Sequence, residues 1–133
     1  MEKQTYSYEE AFAKSLEYFN GDELAARVWV NKYAVKDSFG NIYEQSPEDM
    51  HWRLANEVAR IEAKYKNGLS AQQLFELFDH FKYIVPQGSP MTGIGNDFQV
   101  ASLSNCFVIG MDGEADSYGA IIRIDEEQVQ LMK

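Results

Sequence analysis

The sequence predicts a mainly α (α+β) fold: a helical domain over residues 1–82, then a second unit over 83–133 with one strand and one helix. Three observations carry this reading. Before Lys82, capping residues repeatedly precede apolar residues at helical spacing. From Val85 the style changes, and Pro86, Gly88, Pro90, Gly93 and Gly95 mark a long loop. Beyond the loop, Val100 to Gly110 alternates with the period of an extended chain.

Ser7 followed by Glu10 forms a capping box, and Ala11, Phe12, Leu16 and Phe19 recur behind it at helical spacing. Asn20-Gly21 stops this first helix. Asp22 caps a second, with Leu24, Ala25, Val28, Trp29 and Tyr33 as its apolar face. The link is short, so the pair should form a helical hairpin. Tyr33–Lys36 and Asn41–Glu44 flank Asp37-Ser38-Phe39-Gly40, the pattern of a short hairpin or irregular turn. Ser46-Pro47-Glu48-Asp49 starts a third helix running to about Tyr65, with Met50, Leu54, Val58 and Ile61 buried. Asn67-Gly68 ends it, and Ser70 with Gln73 starts a fourth carrying Leu74, Leu77, Phe78 and Phe81. After the strand, Asp112 to Asp116 is a turn. Ser117 opens a fifth helix with one seam at Ile121, Ile124, Gln128 and Leu131 and a second at Ile122 and Val129. No capping residue precedes Lys133, as expected of an incomplete polypeptide.

In the strand, Leu103, Asn105, Phe107 and Ile109 face one way, and Ser102, Ser104, Cys106 and Val108 the other. One side is apolar; the other presents two hydroxyls and a thiol. That suits a strand with its back in a core and its front on a cavity. Alternation alone also describes a buried cysteine in an ordinary strand.

Composition narrows the function. A net charge of -9 argues against a surface tracking a nucleic-acid polymer. No run approaches the roughly 20 apolar residues of a membrane span, and the N-terminus has no apolar secretion core, so the cytoplasm is the expected location. One cysteine excludes an internal disulfide framework. His51 and His80 read as surface or helix-side residues, with no metal-ligand spacing to each other or to Cys106, so no metal site is expected. Trp29 and Trp52 read as core. The bare Gly93-Ile94-Gly95 lacks the preceding strand and following helix of a dinucleotide fingerprint.

The segment Ser102-Leu103-Ser104-Asn105-Cys106-Phe107-Val108 resembles the first barrel strand of the ribonucleotide reductase catalytic subunit. Val85-Pro86-Gln87-Gly88-Ser89-Pro90-Met91-Thr92-Gly93 resembles the Pro-x-x-Ser-Pro loop that leads into it. The resemblance runs along nearly the whole chain and is closest to the adenosylcobalamin-dependent, class II branch. It implies that 83–133 begins a ten-stranded α/β barrel and that the complete enzyme replaces the ribose 2′-hydroxyl by hydrogen through radical chemistry. By the same resemblance Cys106 is one of two reducing thiols, regenerated by an external dithiol reductant. The Ser89 hydroxyl and the Asn105 backbone meet the ribonucleotide substrate. Asp112, Asp116 and Ser117 help hold a nucleotide effector, and the helix after the cysteine pairs with its copy in a homodimer. Adenosylcobalamin is the implied cofactor. The second thiol and the radical-carrying cysteine lie on later strands, so this chain alone is expected to be inactive.

Simpler readings accompany these residues. A serine before proline is a common turn residue. Asp112, Asp116 and Ser117 also fit a helix cap with a solvated acidic turn. The whole chain also fits a stand-alone helical interaction module without catalysis. Without neighbours, the strand should pair with another chain or lose strand form.

Overall fold

The computed structural model describes residues 4–111, 113 and 115–132. Its helices are α1 (Tyr8–Tyr18), α2 (Glu23–Lys32), α3 (Pro47–Glu62), α4 (Ala71–Phe78), α5 (Gly88–Gly93) and α6 (Tyr118–Met132), with a 3₁₀ turn at Asp79–Phe81.

The side-chain caps at Ser7, Asp22 and Ser70 form as expected, whereas Ser46 precedes α3 without a side-chain cap bond. Ser7 Oγ accepts from the Glu10 N–H at 3.2 Å while the Glu10 carboxylate accepts from the Ser7 N–H at 2.8 Å. Asn20 and Gly21 both take positive φ, 53° and 89°, and turn the chain into α2. There Asp22 accepts from the Ala25 N–H at 2.9 Å. Ser70 and Gln73 repeat the reciprocal box at α4.

The buried face of α2 differs from the predicted one. Ala26, Trp29 and Val30 are buried, whereas Leu24 and Val28 are 72% and 42% exposed. Trp29 sets the rotation: its indole reaches the core, and its Nε1–H points at Met50 Sδ, 3.4 Å away. α1 offers small residues on its buried side, Ala11 and Ser15, and the Ser15 hydroxyl donates to its own helix at Ala11 O, 2.7 Å. α1 packs on α2, and α3 packs on α4.

Between α2 and α3 no ladder develops, only isolated antiparallel bridges from Ile42 to Tyr6 and to Lys36. Asp37 builds the turn. Its carboxylate accepts from the backbone N–H groups of Phe39 and Asn41, both at 2.9 Å, and from the Asn41 side chain at 2.8 Å and the Tyr43 hydroxyl at 3.0 Å. These bonds, led by the one from the Asn41 side chain, hold its carboxyl below the usual range. α3 ends at Glu62 rather than near Tyr65. A Cβ at Gly68 would run into the Glu62 carbonyl oxygen, so only glycine lets the returning chain cross the helix end there.

The core comprises Ala11, Trp29, Val30, Ala34, Ile42, Met50, Leu54, Ala55, Leu74, Phe78 and Met91. Trp52 is only partly buried and stacks on Phe75, with centroids 4.2 Å apart. Cutting a fully buried side chain such as Leu54 to alanine should cost about 2–5 kcal/mol. A fall in the urea midpoint at unchanged slope would show it.

Two expectations for the later segment are corrected. Part of the predicted proline-glycine loop is helical, as α5, and Met91 on it enters the core. The predicted strand does not form. Residues 100–110 carry no regular element, and Val100, Leu103, Phe107 and Val108 are exposed. A strand needs neighbours to take its N–H and C=O groups, and no strand is present among the described residues to do so. The helix after it, α6, is formed but has no buried residue, so both of its apolar seams lie open.

Candidate functional site

Gln87 is extended, and α5 starts after it, with Met91 N–H donating to Gln87 O at 3.0 Å. Pro90 fits the first turn because its missing N–H would have no helical acceptor there. Ser89 therefore sits at the start of α5. Its N–H donates to Asn105 Oδ1 at 2.9 Å and its hydroxyl to the same oxygen at 2.5 Å. The Asn105 amide donates to Gln87 Oε1 at 2.5 Å. The proline loop and the cysteine segment are thus joined by one asparagine side chain. The Asn105 side chain has a bridging place that the sequence did not suggest, beside the backbone contact with substrate expected of this residue. With the strand not formed, alternation no longer dictates where that side chain points.

Cys106, the residue after this clamp, is exposed, not buried in a strand. Beyond it, residues 107–110 and α6 border an open hollow of about 730 Å³, lined among others by Phe107, Ile109, Arg123, Glu127 and Leu131.

Sequence reasoning missed what holds the other end of α5. Arg53 of α3 donates through Nη2 to Met91 O in the last turn of α5 at 2.7 Å and through Nη1 to the carbonyl of Ile94, the residue that caps it. Its Nε donates to Glu44 Oε1 at 2.7 Å. Glu44 Oε2 in turn accepts from Val35 N–H at 2.9 Å. The pair is nearly dry, with side chains 13% and 6% exposed. Burial pushes the Glu44 carboxyl up, with Arg53 acting against it. Gly95, at φ +68, is packed against the same arginine: a Cβ there would lie 2.9 Å from Arg53 Cγ. The one sequence signal was the placing of Glu44 and Arg53 beside core positions Ile42 and Leu54.

His51 was also misread. It is fully buried on α3, with Nδ1 3.3 Å from the Tyr18 hydroxyl and Nε2 without a partner. Burial lowers its pKa to about 4. Tyr18 donates to Asp79 Oδ1 at 3.0 Å and accepts from His80 N–H at 2.6 Å, in a turn where His80 and Phe81 both have positive φ. His80 stacks on Tyr18 with centroids 4.5 Å apart.

Of the expected effector residues, Ser117 caps α6, its Oγ accepting from Ala120 N–H at 3.2 Å. Asp116 is exposed, and Asp112 lies outside the described residues. Among the described residues no three His, Cys, Asp or Glu side chains are grouped to hold a metal ion, and no helix is long and apolar enough to cross a membrane.

Comparison with known families adds one finding. A family model described as "Ribonucleotide reductase, all-alpha domain" matches residues 19–92, more than half of the chain. The match takes in α2 to α4, Glu44, Arg53 and Ser89, and stops before Asn105 and Cys106. Searches of curated proteins and of solved structures return no significant match.

Proposed function

The chain belongs to the ribonucleotide reductase all-alpha domain family, and on that premise we propose that it is the N-terminal part of a reductase that makes deoxyribonucleotides from ribonucleotides. The observation that carries this is the Asn105 clamp. It joins the proline loop to the segment bearing the only cysteine, beside a scaffold of the matching family.

In this reading Cys106 is one of two thiols that together give up two hydrogens. The ribose loses its 2′-hydroxyl as water and gains hydrogen at that carbon, and the two sulfurs close a disulfide. The chain holds one cysteine, so the second thiol comes from elsewhere in the enzyme. An external dithiol reductant then reopens the disulfide, as suits a cytoplasmic enzyme. Ser89 and Asn105 orient the ribonucleotide. The Ser89 hydroxyl donates to Asn105 and keeps lone pairs to accept from a sugar hydroxyl.

Adenosylcobalamin, the implied radical source, finds no evident seat among the described side chains. His51 is walled in beside Phe78 and Phe81, and His80 lies against Tyr18, so neither opens beside Cys106. The thiol chemistry of Cys106 stands independently of how the radical is made. Asp112, Asp116 and Ser117 are the proposed contacts for a nucleotide effector, and α6 the proposed homodimer helix. Placing acids at Ile122 and Val129, which are 65% and 62% exposed, should turn a dimer into a monomer in sedimentation. Wild-type chain that is already monomeric would remove the helix from that role.

The test is a hybrid in which this chain replaces the corresponding N-terminal region of a ribonucleotide reductase. The hybrid should form deoxyribonucleotide, and Cys106→Ser should lower the rate by at least a thousandfold. Equal rates would remove the redox role. A second reading, an interaction module without catalysis, draws on the open seams of α6. An inactive hybrid whose α6 still self-associates would favour it.

A further inference from the structure

We propose that Arg53 and Glu44, which nothing above places in contact with substrate, are positioning residues that set the pose of Ser89 and, through Asn105, of the backbone next to Cys106. The inference rests on the reductase reading for its functional meaning and on geometry for its mechanism.

The connection is continuous. Val35 N–H holds Glu44, and Glu44 orients the guanidinium. The guanidinium grips Met91 O and Ile94 O at the C-terminal end of α5, and Ser89 stands at the other end of the same short helix. A helix of this length does not hold its shape unaided in water. It needs its ends fixed, and this arginine fixes one of them while Asn105 holds the other. Arginine is the residue for this task because its planar fork serves a carboxylate and two carbonyls at once. A lysine ammonium keeps the charge opposite Glu44 but lacks that geometry. Gly95 supports the assignment, since any larger residue there would displace the arginine stem.

Hydrogen exchange on the chain itself tests the mechanism. In Arg53→Lys the Ser89 amide should exchange at least tenfold faster, while amides inside α1 and α4 stay within twofold of wild type. Gly95→Ala, which crowds the arginine stem without changing its charge, should speed exchange of the Ser89 amide at least tenfold more than that of amides inside α1 and α4. Acceleration in α1 and α4 to the same degree would mean that the pair serves the whole fold and would overturn the proposal, as would an unchanged Ser89 amide. In the hybrid reductase, Arg53→Lys should raise KM for the ribonucleotide about tenfold with kcat within twofold. A fall in kcat at constant KM would overturn the positioning role. The exchange experiment needs no activity, so an inactive hybrid with the expected exchange pattern sinks the reductase reading alone.

Discussion

Replacing Arg53 by methionine should cost the fold about 3–5 kcal/mol, the usual penalty for stranding one partner of a buried ion pair. Glu44 would stay almost wholly buried with only the Val35 N–H to satisfy its charge, and Met91 O and Ile94 O would lose their donor. A domain of this size has about 5–15 kcal/mol of stability in all, so the loss is large. Urea unfolding followed by tryptophan fluorescence reads it directly, since Trp29 is buried in the same core. The double variant with Glu44→Leu should recover most of the loss, because it removes the uncompensated charge as well. A single-variant cost below about 1 kcal/mol would show that water reaches the pair and that it behaves as a surface bridge.

The second large effect is acid sensitivity through His51. The unfolded chain binds this proton at the ordinary 6.5, whereas the folded chain binds it only near 4. Between those values the unfolded state holds more protons, so stability present above pH 6.5 is lost as pH falls toward 4. The full loss is about 3 kcal/mol, from roughly 1.4 kcal/mol per pKa unit. The groups facing the ring account for the direction. Tyr18 meets Nδ1, Phe78 and Phe81 cover the ring, and Nε2 has no acceptor for a second proton. Asp79 favours the charged ring, whereas His80 and Arg53 oppose it. Glu44, raised by burial, works in the opposite sense: its share of stability is greatest at low pH and declines as pH rises past its ordinary 4.5. His51→Leu should flatten the profile between pH 6.5 and 4. Denaturant midpoints across that range check it, and a profile as steep as wild type would assign the sensitivity to other groups.

What the sequence disclosed depended on how local the cause was. The boxes at Ser7 and Ser70, the Asp22 cap and the Asn20-Gly21 stop are decided within a few residues, and all formed. The α2 face was misread because a single large side chain, Trp29, outweighs the count of apolar positions. His51 sits beside Met50 and faces α1 and the turn after α4, so its burial comes from tertiary packing that periodicity cannot display. The strand pattern was legible, and its loss is one of the two outcomes expected of it without neighbours. Alternation describes which way side chains would point, but pairing decides whether a strand exists, and no partner strand is present among the described residues. At the site, Ser89 and Asn105 were both singled out and the structure joins them, though by a side chain that was expected to point elsewhere. The Arg53–Glu44 support left only the placing of both residues beside core positions as a signal, because its carbonyl acceptors carry no residue identity.

The redox assignment of Cys106 is tested most directly by a single turnover of the hybrid enzyme without external reductant, followed by alkylation and mass spectrometry of the peptide bearing this thiol. The account predicts one deoxyribonucleotide per active site and Cys106 recovered in a disulfide with a thiol from the grafted barrel. Product formed while Cys106 remains fully alkylatable would contradict it.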